Sequence, residues 1–118
     1  MTRDRMHALV SAWAVAVARN DVAALETMVS PPLREGVLGR TRGIHAAFRD
    51  IAIVPMHVVI EGGLVAWRYR MTGVHVAPLA GIAATLRVTA LDGVNFQRVC
   101  DGVVVEHWTT VDLSPLRA

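Results

Sequence analysis

The dipeptide Asp101-Gly102, set between an apolar run ending at Cys100 and another beginning at Val103, constrains this chain more than any other feature. Two residues of this kind between β-prone runs are the strongest short-range signal for a hairpin, because both central positions of the tight turn need a left-handed backbone. A hairpin also has arithmetic. With Cys100 opposite Val103, an unbroken ladder sets Arg98 against Val105, Gln97 against Glu106, Asn95 against Trp108, Gly93 against Thr110 and Leu91 against Asp112. Side chains alternate along a strand, so Asn95, Gln97, Glu106, Trp108, Thr110 and Asp112 then share one surface. Amides, carboxylates and an aromatic ring on one face suit the lining of a ligand site better than a plain core.

Upstream of the hairpin, helical periodicity comes first and strand periodicity afterwards. Met6, Leu9, Val10, Trp13 and Val17 recur at helical spacing, which predicts an amphipathic helix from about Arg3 to Arg19. Asn20-Asp21 supplies a break and an N-cap for a second helix to about Val29, and Pro31-Pro32 ends it. Leu33 to Arg40 reads as a turn-rich connection, with Thr41 capping a third helix whose Ile44, Ala47, Phe48 and Ile51 share a face. Strands are expected from Ile53 to Ile60, Leu64 to Thr72, Leu86 to Val99 and Val103 to Val111, with a turn at Glu61-Gly62-Gly63. In the second of these, Val65, Trp67, Tyr69 and Met71 lie on one side and Arg68 and Arg70 on the other. Gly73 to Thr85, holding His75, Pro78 and Gly81, reads as a longer connection. Helices followed by a meandering sheet predict an α+β domain with the helices on one face of the sheet.

Composition narrows the function classes. The chain has 118 residues, enough for a single domain, and 53% of them are hydrophobic. Three Trp, two Phe and one Tyr leave the interior to be filled mainly by Val, Ala, Leu and Ile. The net charge of +2 is spread over scattered arginines, without the basic stripe that nucleic-acid binding needs. A single cysteine, Cys100, excludes an intramolecular disulfide and fits a reducing compartment, and no patterned Cys or His suggests a metal site. Arg3 and Arg5 followed by apolar Ala8 to Ala18 resemble a short signal peptide. The helical spacing and the acidic Asp4 favour a mature helix instead, so the expected location is cytoplasmic. No apolar run approaches membrane-spanning length.

Trp13 to Leu25 (WAVAVARNDVAAL), Val65 to His75 (VAWRYRMTGVH) and Gly93 to Asp112 (GVNFQRVCDGVVVEHWTTVD) resemble the helix, strand and hairpin signatures of the SnoaL-like polyketide cyclases. These belong to the nuclear transport factor 2-like superfamily. Gly81 to Thr85 stands where that family usually has a Gly-Ile/Leu-Pro-Pro-Thr turn, here without the double proline. The resemblance implies a cone-shaped, curved, mostly antiparallel sheet with N-terminal helices on its concave face, enclosing a pocket and needing no cofactor. It implies that Asp112 is the general acid/base of an intramolecular aldol closure. The family's usual acidic residue between the Gly and Phe of the central strand is Asn95 here, and Gln97 replaces a common apolar residue.

On their own chemistry, Asn95 and Gln97 can donate amide hydrogens to a substrate carbonyl, or hold the hairpin through a buried polar network. Glu106 opposite Gln97 supports the second role. Trp108, Trp67 and Tyr69 offer flat walls for a polycyclic or polyene ligand, although core packing is the better explanation of Trp67 and Tyr69. His75 is a candidate second proton carrier. His7, His45, His57 and His107 form no constellation and read as solvated or structural.

The expected function is a cyclase of polyketide antibiotic biosynthesis. It binds a hydrophobic polyketide-like intermediate and promotes ring closure, by acid/base chemistry at Asp112 or by preorganising a cycloaddition. The alternative is a non-catalytic small-molecule binding or dimerisation module. An epoxide hydrolase or ketosteroid isomerase-like enzyme fits less well, because inward carboxylates are few and Tyr69 is the sole tyrosine. A homo-oligomer is expected, a dimer first and a trimer second, because an open sheet in a small domain tends to bury its outer face against a copy.

Overall fold

The computed structural model describes residues 2–117. Three helices, α1 (Arg3–Arg19), α2 (Val22–Met28) and α3 (Pro31–Ala47), precede four strands, β1 (Phe48–Glu61), β2 (Leu64–His75), β3 (Val88–Cys100) and β4 (Val103–Val111), and a short 3-10 turn at Ser114–Leu116. The strands form one antiparallel sheet in the order β1-β2-β3-β4. The expected α+β architecture, a curved antiparallel sheet with the helices on its concave face, is therefore the one observed.

Local chemistry accounts for the helix ends. The Thr2 hydroxyl accepts from the Arg5 N–H and caps α1. Asn20, left-handed at φ 53°, closes α1 by donating its N–H to the carbonyls of Ala16 and Val17. Asp21 accepts from the Ala24 N–H and starts α2. The buried stripe of α1 (Met6, Leu9, Val10, Trp13, Val17) packs with Leu25 of α2 and with Val65, Trp67, Val99 and Val104 of the sheet.

One segment departs from expectation. Leu33 to Arg40 is not a turn-rich connection but part of a continuous α3, and Thr41 lies inside that helix rather than capping it. Pro31 and Pro32 do not merely stop α2. They occupy the first turn of α3, where a missing N–H leaves no helical bond unmade. Gly36, Gly39 and Gly43 each cost about 1 kcal/mol of intrinsic helix stability. Burial of Val37, Thr41 and Ala47 outweighs that cost, and the Thr41 hydroxyl is satisfied at the Val37 carbonyl. The helix ends at Ala47 and β1 begins at once, so Phe48 belongs to the strand.

Three β-bulges shape the sheet. Two interrupt β1, between Arg49 and Ala52 and between Pro55 and His57. Pro55 is tolerated because β1 is an edge strand. The third lies in β4. The hairpin opens as expected, with Cys100 opposite Val103 and with Asp101 and Gly102 at φ 51° and 78°. Val99 then pairs with Val104, but Arg98 pairs with Glu106, leaving Val105 as the extra residue. Beyond it, Gln97 faces His107, Phe96 faces Trp108 and Asn95 faces Thr109. Every β4 side chain past Val105 is thereby turned to the face opposite the one an unbroken ladder requires.

On the concave side, Tyr69 lies directly opposite Gly93, and its phenol ring occupies the space that a β-carbon there would need. Gly93→Ala is expected to displace that ring and to destabilise the fold by about 1–3 kcal/mol in chemical denaturation. The same substitution in a Tyr69→Ala background should cost much less. Equal costs in the two backgrounds would contradict the contact.

Candidate functional site

Two adjoining cavities open between α3 and the concave face of the sheet. The inner one, about 50 Å³, is lined by Trp13, Val37, Arg40, Thr41, Trp67, Tyr69, Asn95, His107 and Thr109 among others. The outer one, about 300 Å³, is bounded mainly by apolar groups, including Phe48, Leu79, Leu91, Val111 and Leu113. Arg40, Ile44, Tyr69 and Met71 line both, so the two form one largely apolar cleft whose narrow end carries the polar groups of Arg40, Thr41, Asn95, His107 and Thr109. Among the described residues, no carboxylate lines either part.

The polar end is held by a short chain of hydrogen bonds. Trp67 Nε1–H donates to Gln97 Oε1 at 3.0 Å, and Gln97 Nε2 lies 3.1 Å from His107 Nδ1. Trp67 and Gln97 are fully buried. The His107 ring also packs on Trp13, with centroids 5.1 Å apart. Burial, and secondarily the charge of Arg40, push the His107 pKa down to about 4. The ring is therefore neutral at physiological pH. Asn95 is only 5% exposed and lines the inner cavity, and its amide has no side-chain hydrogen bond among the described residues. A donor and an acceptor are thus offered to whatever enters.

Of the residues singled out from the sequence, Asn95, Gln97, Trp67 and Tyr69 come together here, with Gln97 positioned behind His107. The others do not join them. Trp108 is 53% exposed on the convex face, where it meets Phe96 at 5.5 Å. Glu106 lies on the same face, paired with Arg98 at 3.0 Å. Both displacements follow from the bulge at Val105. Asp112 is exposed just past the end of β4, where its Oδ1 accepts from the Ser114 N–H at 2.9 Å and closes a side-chain turn ahead of the final 3-10 turn. That bond holds its carboxyl below the usual carboxylate range, the opposite of the elevation a proton carrier needs.

His75 is the last residue of β2 rather than part of a connection. It is fully buried and stacked on Phe48, and its Nδ1 accepts from the Thr85 N–H at 3.2 Å. It lines neither cavity and ties the 76–87 connection to the sheet. His45 is structural as expected, its Nε2 lying 2.7 Å from the Val17 carbonyl and joining α3 to α1.

His107, Arg40, Thr41 and Thr109 are cleft residues that sequence reasoning did not single out. A signal for His107 was present in side-chain chemistry. Only a ladder with one extra residue places Arg98 opposite Glu106 and Phe96 opposite Trp108, two favourable cross-strand pairs, and keeps the Glu106 carboxylate out of the interior.

The depressed pKa of His107 has a consequence for stability. Between about pH 6.5 and pH 4 the unfolded chain binds a proton at this position that the folded chain refuses, so stability falls as pH is lowered across that window. Below about pH 4 both forms are protonated and the loss is complete. His107→Gln is expected to remove on the order of 2–3 kcal/mol of this acid-side loss, measured by urea denaturation at pH 7 and pH 4.5. An unchanged difference between the two pH values would count against a buried neutral ring.

The family model for SnoaL-like polyketide cyclases matches residues 2–118. No curated protein matches the sequence. Among solved structures, TsrD from Streptomyces laurentii superposes with a TM-score of 0.88 at 23% identity, covering 99% of this chain and 95% of that one. IdmH from Streptomyces antibioticus, described as a candidate polyketide cyclase, gives 0.83 at 26% identity with 94% of each chain covered. AclR from Streptomyces galilaeus, described as a candidate hydroxylase, gives 0.85 at 25% identity, covering 98% of this chain and 83% of that one. By sequence and by fold, this chain belongs to the SnoaL-like polyketide cyclase family.

Proposed function

We propose that this protein binds a hydrophobic polyketide intermediate in the α3–sheet cleft and promotes its ring closure by alignment and carbonyl polarisation, not by carboxylate proton transfer. The observation that carries this reading is the polar lining itself. A neutral His107, the unpartnered amide of Asn95 and the guanidinium of Arg40 converge on the inner end, and Asp112 stands outside it. A carbonyl oxygen entering there meets hydrogen-bond donors and a positive charge, which stabilise the electron density that builds up on oxygen as a new ring bond forms. A neutral imidazole acts as such an electrophile without giving up its proton. The apolar outer cavity accommodates the body of the ligand and excludes water. A cycloaddition moves no proton and needs only these two contributions. An aldol closure would also need a base, and the acid-shifted pKa of His107 makes it a poor one at neutral pH.

The competing reading is a binding module that uses the same cleft without chemistry. Relatives of this fold carry different activities in their descriptions, AclR among them, so fold alone does not decide. Mass spectrometry of a linear polyketide incubated with the protein separates the two, because a binding module returns the ligand unchanged.

For the cyclase, His107→Phe and Asn95→Leu are each expected to slow ring closure by about 100-fold, while Asp112→Asn leaves it within about twofold. Loss of turnover in Asp112→Asn alone would reinstate the acid/base mechanism. The exposed Phe96–Trp108 pair on the convex face supports the expected homo-oligomer. Trp108→Ser should then shift the sedimentation of the protein towards the monomer.

A further inference from the structure

The chain of donors and acceptors behind the cleft has a direction, and that direction determines the chemical form of His107. An indole nitrogen can only donate. Trp67 Nε1–H therefore fixes which end of the Gln97 amide faces it, namely the oxygen at 3.0 Å. The Gln97 NH2 group is left to face His107 Nδ1 at 3.1 Å. A nitrogen meeting an N–H donor at that distance must be the acceptor, so the His107 proton resides on Nε2. That second nitrogen has no hydrogen-bond partner among the described residues, and the ring lines the inner cavity.

We propose that Gln97, oriented by Trp67, is a positioning residue that locks His107 as the Nε2–H tautomer, so that the cleft is presented with a donor and not with a basic nitrogen. The inference rests on the reading of His107 as the carbonyl-polarising group and extends it to Gln97, which lines neither cavity, and to the indole N–H of Trp67 that orients it. The other neutral tautomer would set Nδ1–H against the Gln97 NH2 group. Rotating the amide to relieve that clash would set the NH2 group against Trp67 Nε1–H. Either way one buried donor is left without an acceptor. The doubly protonated ring meets the same obstacle. Of the elements packed around His107, α3 brings Arg40 and β2 brings Tyr69. The neighbours from α1 and β3, Trp13, Asn95 and Gln97, are not ionisable, so among the described residues no acidic group stands by to favour a charged ring.

The test is long-range proton–nitrogen NMR of the imidazole nitrogens in the full chain labelled with nitrogen-15 histidine. In the wild-type protein at pH 7, His107 is expected to be the Nε2–H tautomer by about tenfold or more, the factor one lost buried hydrogen bond is worth. Trp67→Phe frees the Gln97 amide to rotate and should let the Nδ1–H tautomer appear in comparable amount. Gln97→Glu should move the proton to Nδ1, since a carboxylate accepts from both neighbours, and should raise the pH at which the ring becomes charged. A wild-type ring found as Nδ1–H, or as an even mixture, overturns the proposal. So does a tautomer preference unmoved by both substitutions. If the variants do not fold, the wild-type spectrum decides alone. The measurement needs no substrate, which separates it from the functional reading. A ring correctly locked in a protein whose His107→Phe variant still closes rings would sink the polarisation mechanism and leave the lock standing.

Discussion

The extra residue at Val105 is the constraint on which the cleft depends. Because strand side chains alternate with a period of two, one inserted residue exchanges the two faces of β4 for everything that follows it. The exchange delivers His107, Thr109 and Val111 to the concave side and carries Glu106, Trp108 and Thr110 to the convex side. It is held by what it satisfies. Glu106 meets Arg98 at 3.0 Å in water and Trp108 meets Phe96, whereas an unbroken ladder would bury a carboxylate beneath α3. The exposed ion pair is itself worth little. Avoiding a buried unpaired charge is the larger effect.

From that register follows the division of labour on the concave face. Central strands β2 and β3 contribute the rigid parts, with Trp67 and Gln97 fully buried and Tyr69 set against the bare backbone of Gly93. The β4 edge strand contributes His107, whose ring is dry enough to stay neutral. Helix α3 covers the far side and brings Arg40 to the point where the two cavities meet. The polar groups are therefore neutral hydrogen-bonding side chains on strands and a cation on a helix, none of them on a loop, beside a larger apolar space. That combination suits a ligand with a carbonyl-bearing end and a greasy body.

Much of this was legible in the chain. The helical spacing from Met6 to Val17, the break and cap at Asn20-Asp21, and the strict alternation from Val65 to Met71 are local signals, and local structure obeyed them. Asn95, Gln97, Trp67 and Tyr69 could be placed on the inner face because β2 and β3 run opposite each other without a break. The failures have a common origin in contacts distant along the chain. Pro31-Pro32 and three glycines read locally as a helix breaker and a loop, yet the sheet beneath rewards a helix through Val37, Thr41 and Ala47. His75 read as a residue of a longer connection, yet it is the last residue of β2, fully buried, stacked on Phe48 and bonded by Thr85.

The sequence by itself determined the elements, their order, the position of the turn at Asp101-Gly102 and the family to which the hairpin and strand signatures belong. Turn chemistry and hydrophobic period are properties of neighbouring residues, so they can be read without coordinates. Only the tertiary structure decided that His107 and not Trp108 faces the cleft, that Asp112 bonds the Ser114 N–H in water, and that Gln97 stands between an indole and an imidazole. A single unpaired residue in a strand costs almost nothing locally but reverses a whole face. Its placement is settled by the sum of packing and charge across the sheet.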